Sequence, residues 1–243
     1  MAPTVDIPGV QPDVAALFQE IEHTFQYTGL GDDRWYILTM AAVVGGTNPE
    51  LAAQLYLYMI NQPGRENPCD RQALMRRLRE IIVKLVSIIG VCKPLEAIIS
   101  IVKVERPEDR DYSFSRENWQ ADGKNHEDGM AWLTQIYERN MESTLRLFDA
   151  HLDFQWISTD ITYGLYLSDR QNMDDLDTEL TVLVGIMIQN LKLETYWHIR
   201  GIRRIGVPQE DVKTILSCVR RIADFTGVKL NRIPTVDEVE QDV

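Results

Sequence analysis

The chain has 243 residues, with 25 Lys and Arg against 37 Asp and Glu, for a formal net charge of −12. An apolar fraction of 44% is too high for a disordered chain, and 26% charged residues suits a soluble globular one. The acidic balance argues against a nucleic-acid binder, which needs a basic face, and against an anionic membrane surface.

Residues 1–29 read as an N-terminal arm, and Met1–Asp6 has neither the basic nor the apolar region of a signal peptide. Asp32 and Asp33 precede a helix bearing Ile37, Met40, Ala41 and Val44, which ends at Gly45-Gly46. Asn48-Pro49-Glu50 reads as cap, first position and first-turn acid of the next helix, with Leu51, Leu55, Tyr58 and Met59 inward. Asp70 is placed to cap a long helix through Leu74, Leu78, Ile81, Leu85 and Ile89, stopped by Gly90. Pro94 opens another helix, and Pro107 stops it. The polar stretch 107–129 reads as a connector. Leu133, Tyr137, Met141, Leu145, Phe148 and Leu152 follow at helical spacing, which predicts one amphipathic helix. Three more helices are expected: Asp177 to Gln189, Leu193 to Gly206, and a long one opened by Pro208. No strand-like alternation occurs, so the expected fold class is all-α.

The longest apolar stretch, Ile81 to Cys92, is interrupted by Lys84 and is too short to span a bilayer. Cys69, Cys92 and Cys218 are odd in number and widely spaced, which fits neither a disulfide framework nor a zinc site. Cys92, at a turn between apolar segments, reads as a packed thiol. A reducing, cytoplasmic setting is the expectation. The C-terminus is not a peroxisomal address.

The chain also repeats itself. At a constant offset of 144, Asp33–Asn61 overlies Asp177–Ile205, so that Glu50 and Gln54 fall on Glu194 and His198. Further on, Ile88-Ile89-Gly90-Val91 overlies Phe225-Thr226-Gly227-Val228 at offset 137, with the extra residues of the first copy in the turn-rich stretch 62–68. This divides the chain into a first repeat over 30–106, the connector, and a second repeat over 130–243. Two generic helix pairs of similar length are the alternative.

The second copy reads Leu176-Asp-Thr-Glu179, an apolar helix, Glu194-Thr-Tyr-Trp-His198, Gly201, and then Gly206-Val207-Pro208-Gln209-Glu210-Asp211-Val212. In order and spacing it resembles the carboxymuconolactone decarboxylase superfamily, which includes the alkylhydroperoxidase-D-like proteins. The likeness covers about residues 30–105 and 130–232. It implies tandem all-helical repeats that self-associate, and a chain like the two-copy versions found beside fungal natural-product genes. The peroxidase branch carries E-x11-C-x-x-C-x3-H. Counted from Glu179, Leu191, Glu194 and His198 occupy those places, so both cysteines are missing and disulfide cycling is disfavoured. The same frame from Glu80 gives Cys92, Leu95 and Ile99. Gln54 in place of a histidine marks the first copy as degenerate.

His198 and Glu194 lie one turn apart on one helix face, and Glu179 can approach from the preceding helix. A carboxylate beside an imidazole fixes its orientation and tautomer, which suits general acid/base work. An ordinary surface His–Glu pair has the same spacing. Arg200 and Arg203 are candidates to clamp a carboxylate or enolate, or simply to complement a helix C-terminus. Trp156, Tyr163 and Trp197 are candidates to wall an aromatic ligand, or plain core. His151 and Asp153 lack a third ligand, so no metal is expected, and no glycine-rich phosphate loop or nucleophile elbow is present.

The expected function is a cofactor-independent decarboxylase, lyase or isomerase acting on a small aromatic or carboxylate-bearing substrate. A non-catalytic oligomeric scaffold of the same fold is the main alternative, and a thiol peroxidase a weaker one.

Overall fold

The computed structural model describes residues 7–243, and within them the chain is all-helical, with no strand. The helices are α1 (Pro12–Phe25), α2 (Trp35–Gly45), α3 (Leu51–Ile60), α4 (Pro68–Ile89), α5 (Cys92–Val102) and α6 (Gly123–Tyr137). They continue with α7 (Met141–Arg146), α8 (Leu152–Trp156), α9 (Asp175–Met187), α10 (Lys192–Arg204), α11 (Gln209–Thr226) and α12 (Val236–Val239). α8 runs directly into a π-helix over Ile157–Leu167.

Two helices form the centre. Every residue of α2 is buried, as is every residue of α9 from Asp177 to Met187. A helix apolar on all sides belongs inside a fold, and these two pack on each other. Gly45 permits their close approach, since a Cβ there would stand 2.5 Å from Ile188 Cγ2, and Gly185 admits α4, with a Cβ 2.7 Å from Leu85 Cδ2. α4 lies against both, α11 covers α2, and α10 covers α9. Outside these, α1 packs on α11 while the π-helix packs on α4 and α6. One large apolar cluster runs from Ile7 to Val239 and so draws on both sides of the 107–129 stretch. A smaller cluster of Trp132, Leu133, Ile136, Tyr137, Tyr163 and Leu167 sits between α6, the π-helix and α9.

Several expectations need correction. The N-terminal arm contains α1, opened by Pro12 and Asp13, whose Val14, Leu17, Phe18, Ile21 and Phe25 are buried. α3 begins at Leu51, because Asn48-Pro49-Glu50 forms a turn in which Leu51 N donates to Asn48 O. Asn67, not Asp70, caps α4, accepting from Asp70 N at 3.0 Å. Pro94 falls inside α5, which starts at Cys92 and ends at Val102, short of Pro107. Asp122 caps α6, so the connector ends earlier than expected. The amphipathic run to Leu152 is not one helix: it breaks at Glu138, whose φ is 45°, and Leu147 and Leu152 face solvent. Cys92 is exposed, not packed, whereas Cys218 is buried and its thiol is pushed up to about 12 by that burial.

Lys84 is the least expected core residue. It is fully buried on α4 and donates to the carbonyls of Tyr166, Leu167 and Asp169 at 3.3, 3.3 and 2.9 Å, closing the end of the π-helix. Glu80 lies 3.4 Å away and is itself held by Arg116. Burial lowers the Lys84 ammonium from its ordinary 10.5 to about 8, against the opposing pull of Glu80. The sign of the resulting pH dependence follows from linkage. Below pH 8 the group is charged in both states and contributes no slope; between about 8 and 10.5 only the unfolded chain holds the proton, so rising pH favours the native state. The difference in unfolding free energy between wild type and Lys84→Met is therefore expected to move in favour of wild type across that window, by about 3 kcal/mol in total. Denaturant titrations at several pH values measure it, and a flat difference would refute the burial-shifted lysine.

Candidate functional site

Glu179 lies on the buried face of α9, where an unpaired carboxylate is costly. Its partner comes from α10: His198 Nδ1 and Glu179 Oε1 are 2.7 Å apart, and both side chains are buried. Burial pushes the Glu179 carboxyl up, and the imidazole opposes the shift. Its second oxygen, Oε2, is buried without a hydrogen-bond partner. With Nδ1 engaged, Nε2 of His198 makes no hydrogen bond to the described residues. This leaves a ring nitrogen with a fixed orientation and no competing protein partner.

Glu194, the other carboxylate expected beside His198, does not pair with it. It is half-buried one turn earlier, and the imidazole's carboxylate partner is Glu179.

Tyr137 of α6 forms the adjoining wall. Its ring meets the rings of His198, Trp197 and Tyr163 edge-on, at centroid separations of 6.2, 6.0 and 6.3 Å. The hydroxyls of Tyr163 and Tyr137 are 3.4 Å apart. Burial pushes the Tyr137 hydroxyl up to about 12 and the Tyr163 hydroxyl well above its usual value, so both stay protonated. Trp197 and Tyr137 also line an apolar cavity of about 60 Å³ with Leu133, Met141, Leu145 and Phe148. Tyr163 and Trp197 thus join the site, but Trp156 does not: it is 55% exposed at the end of α8.

The arginines of α10 divide sharply. Arg203 binds Glu240 through two nitrogens at 2.9 and 2.7 Å and also donates to the Val207 carbonyl, so it is a structural clamp and not a free anion site. Arg204 donates to Tyr137 O at 2.6 Å and Asn140 Oδ1 at 2.7 Å. Arg200 is 5% exposed, its Nε has no partner, and among the described residues no carboxylate forms an ion pair with it. Burial lowers its pKa from the ordinary guanidinium value, with Asp242 opposing. A buried cation without a counter-ion is a natural place for an anionic group to bind.

Other candidates fall away from this centre. His126 pairs with Asp160 at 3.0 Å near the surface, and His151 is exposed. Among the described residues no three His, Cys, Asp or Glu side chains gather as a metal site, and no helix is long and apolar enough to cross a membrane. A broad depression of about 730 Å³ lies over Arg34 and Arg170, which already pair with Asp174 and Asp175. Tyr137 was visible in the sequence only as one apolar position of a helix; nothing in its spacing placed it against His198. Comparison with known protein families, curated proteins and solved structures finds no match to this chain.

Gly201 makes room for the pair. A Cβ there would stand 2.9 Å from Glu179 Oε1 and 2.6 Å from Ile136 Cγ2. Both neighbours are fixed, one by its hydrogen bond and one by complete burial. Gly201→Ala is expected to displace the carboxylate and lower stability by about 1–3 kcal/mol, despite the better helix propensity of alanine. Chemical denaturation checks this, and a stabilised variant would show that the pair tolerates the intrusion.

Proposed function

We propose that the chain is a cofactor-independent enzyme acting on a small organic substrate, with His198 as the proton-transfer group and Glu179 as the residue that positions it. The buried 2.7 Å contact between them carries this reading. A histidine and glutamate on an ordinary helix surface need no shared burial; here both are withdrawn from water. Nε2 is the nitrogen left to exchange a proton with substrate. Arg200 supplies the positive charge for a carboxylate or for an enolate developing next to one. Decarboxylation, elimination and isomerisation all need this combination of acid/base and anion stabilisation. A role in secondary metabolism is supported by the resemblance to the carboxymuconolactone decarboxylase superfamily, and a cytoplasmic setting by the sparse, widely spaced cysteines.

Two tandem alkylhydroperoxidase-D-like repeats belong to the same proposal. The order α2, α3, α4 recurs as α9, α10, α11 at the offsets read from the sequence. The packing of α1 on α11 and of the π-helix on α4 supports a reciprocal relation between the halves. At offset 144, Trp35 and Gln54 stand where the second copy has Glu179 and His198. Gln54 Oε1 accepts from Gln11 N at 2.9 Å, at the start of α1. The first copy then has a structural duty and no acid/base pair. Leu191 and Glu194 hold the places of the peroxidase cysteines, so no thiol step is proposed.

His198→Gln is expected to reduce turnover of a responsive substrate by roughly 10²–10⁴-fold, and Glu179→Gln by less. The pH limb of kcat/KM that belongs to His198 should disappear in His198→Gln. Gln54→Ala should loosen α1 and leave the rate unchanged. Candidate substrates are small lactones and keto acids bearing a carboxylate, screened alongside metabolites that accumulate in a strain lacking the gene. A folded His198→Gln protein with full activity would remove His198 from the mechanism.

A non-catalytic oligomeric scaffold is the second reading, and the observation favouring it is closure: His198 is only 4% exposed. In either case self-association is part of the proposal. Val91, Leu95, Ile99 and Val102 leave a row of apolar side chains 47–53% exposed along α5. A second copy of the chain is the proposed cover. Sedimentation should show a species larger than 28.0 kDa that Leu95→Glu with Ile99→Glu dissociates. A monomer at all micromolar concentrations would count against it.

A further inference from the structure

The segment after α6 differs from everything around it. No residue from Glu138 to Ser158 is buried. Hydrogen bonds and ion pairs of residues 142–154 stay local: Leu147 N to Thr144 O, Phe148 N to Leu145 O, His151 N to Phe148 O, Arg146 to Glu142. Nothing polar ties this stretch to the body. Its ends, by contrast, are fixed. Arg204 holds Asn140 and the Tyr137 carbonyl on one side. On the other, Gly164 of the π-helix lies so close to α6 that a Cβ on Gly129 would stand 2.7 Å from Gly164 N. The chain turns into the segment through Glu138, a non-glycine residue at φ 45° and ψ −124°.

Beneath the segment lies the apolar cavity of about 60 Å³. Met141, Leu145 and Phe148 form its roof, and Leu133, Tyr137 and Trp197 its floor. Tyr137 joins it to the catalytic pair, since the same ring stands edge-on to His198. The closed volume is well below the roughly 150 Å³ of an apolar cavity known to take up benzene. A ring can enter only if the roof lifts. Lifting it breaks only one weak hydrogen bond to the body, from Thr134 Oγ1 to Met141 Sδ at 3.1 Å, and exposes few apolar contacts, which are the conditions for low-cost local opening. Methionine in the roof lets it re-form over ligands of different outline.

We propose that residues 141–156 form a hinged lid over an apolar subsite that receives the aromatic or alicyclic ring of the substrate, between Leu145 and Phe148 of the lid and Leu133 and Trp197 of the body. This rests on the reading of His198 as the reacting group and names the class of molecule presented to it: a ring bearing a polar group that reaches past Tyr137. The lid excludes water from Nε2 once the ring is seated.

Indole, an apolar ring of suitable size, is the probe. Amides of residues 142–150 should exchange faster than those of α6 and α10, and should slow when indole is added. Calorimetry should give one site per chain. Leu145→Trp fills the cavity and is expected to weaken indole by about tenfold or more, the scale of discrimination that an apolar pocket provides. His198→Gln should leave indole affinity nearly unchanged, because the subsite does not need the imidazole. Indole that fails to bind, or binds folded Leu145→Trp as tightly as wild type, overturns the proposal. So does exchange at 142–150 as slow as in α10, a measurement that needs no variant. Binding and protection with a fully active His198→Gln protein would sustain the subsite and refute the catalytic role of His198.

Discussion

α9 has no side that faces water, and the remainder of the site follows from that constraint. Its interior accepts Leu180, Leu183, Val184 and Met187 without cost, but Glu179 stands among them. An isolated carboxylate there would be neutralised or would unfold its surroundings. His198 supplies the hydrogen bond, which sets the rotation of α10 about its own axis. That rotation puts Trp197 on the cavity side and sends Arg203 toward Glu240. At the start of α9 the same demand recurs. Asp177 is buried, and Arg34 from α2's leading turn and Arg77 from α4 both reach it at 2.8 Å. The polar residues of α9 thus dictate where three neighbouring helices must stand.

Glycines determine how closely those helices stand. Gly45 brings the central pair together, Gly185 lets α4 approach α9, Gly129 and Gly164 do so for α6 and the π-helix, and Gly201 admits the Glu179 carboxylate. Each leaves out a Cβ that would collide with a neighbouring side chain or backbone at a crossing. The π-helix belongs to this economy of space. Its wider turn carries Tyr163 into the small core, and its C-terminal carbonyls fall on Lys84 rather than on water. A lysine is otherwise a poor core residue; here three carbonyls and Glu80 make its burial tolerable.

Much of the helical framework was legible because periodicity, caps and Gly or Pro stops coincide. α9, α10 and α11 lie close to their expected spans, the one-turn spacing picked out His198 with Glu194, and the family resemblance added Glu179. What sequence hid has specific physical causes. α1 carries Pro12 and Asp13 as a start signal, yet its place in the core depends on contacts with α11 nearly two hundred residues away. The 133–152 run has helical spacing, but Glu138 turns the chain at a positive φ, and spacing alone cannot register a single backbone torsion. Arg200 and Arg203 look interchangeable in sequence. They separate only because Glu240, supplied by the chain end, neutralises one and not the other. Glu194 and Glu179 were equally plausible partners for His198 until burial distinguished them.

Charge explains why such a site would prefer one kind of substrate. The chain carries −12 overall, yet one buried cation, Arg200, stands by the site with no ion-pair partner among the described residues. Surface carboxylates farther than about 8 Å are largely screened at physiological ionic strength, whereas the buried guanidinium is screened far less. A multiply charged anion would meet the general negative field without enough positive charge to offset its loss of water. A single carboxylate is matched by one arginine. The same balance makes Arg200 costly to keep buried in the absence of an anion, a cost that the proposed anion site would relieve.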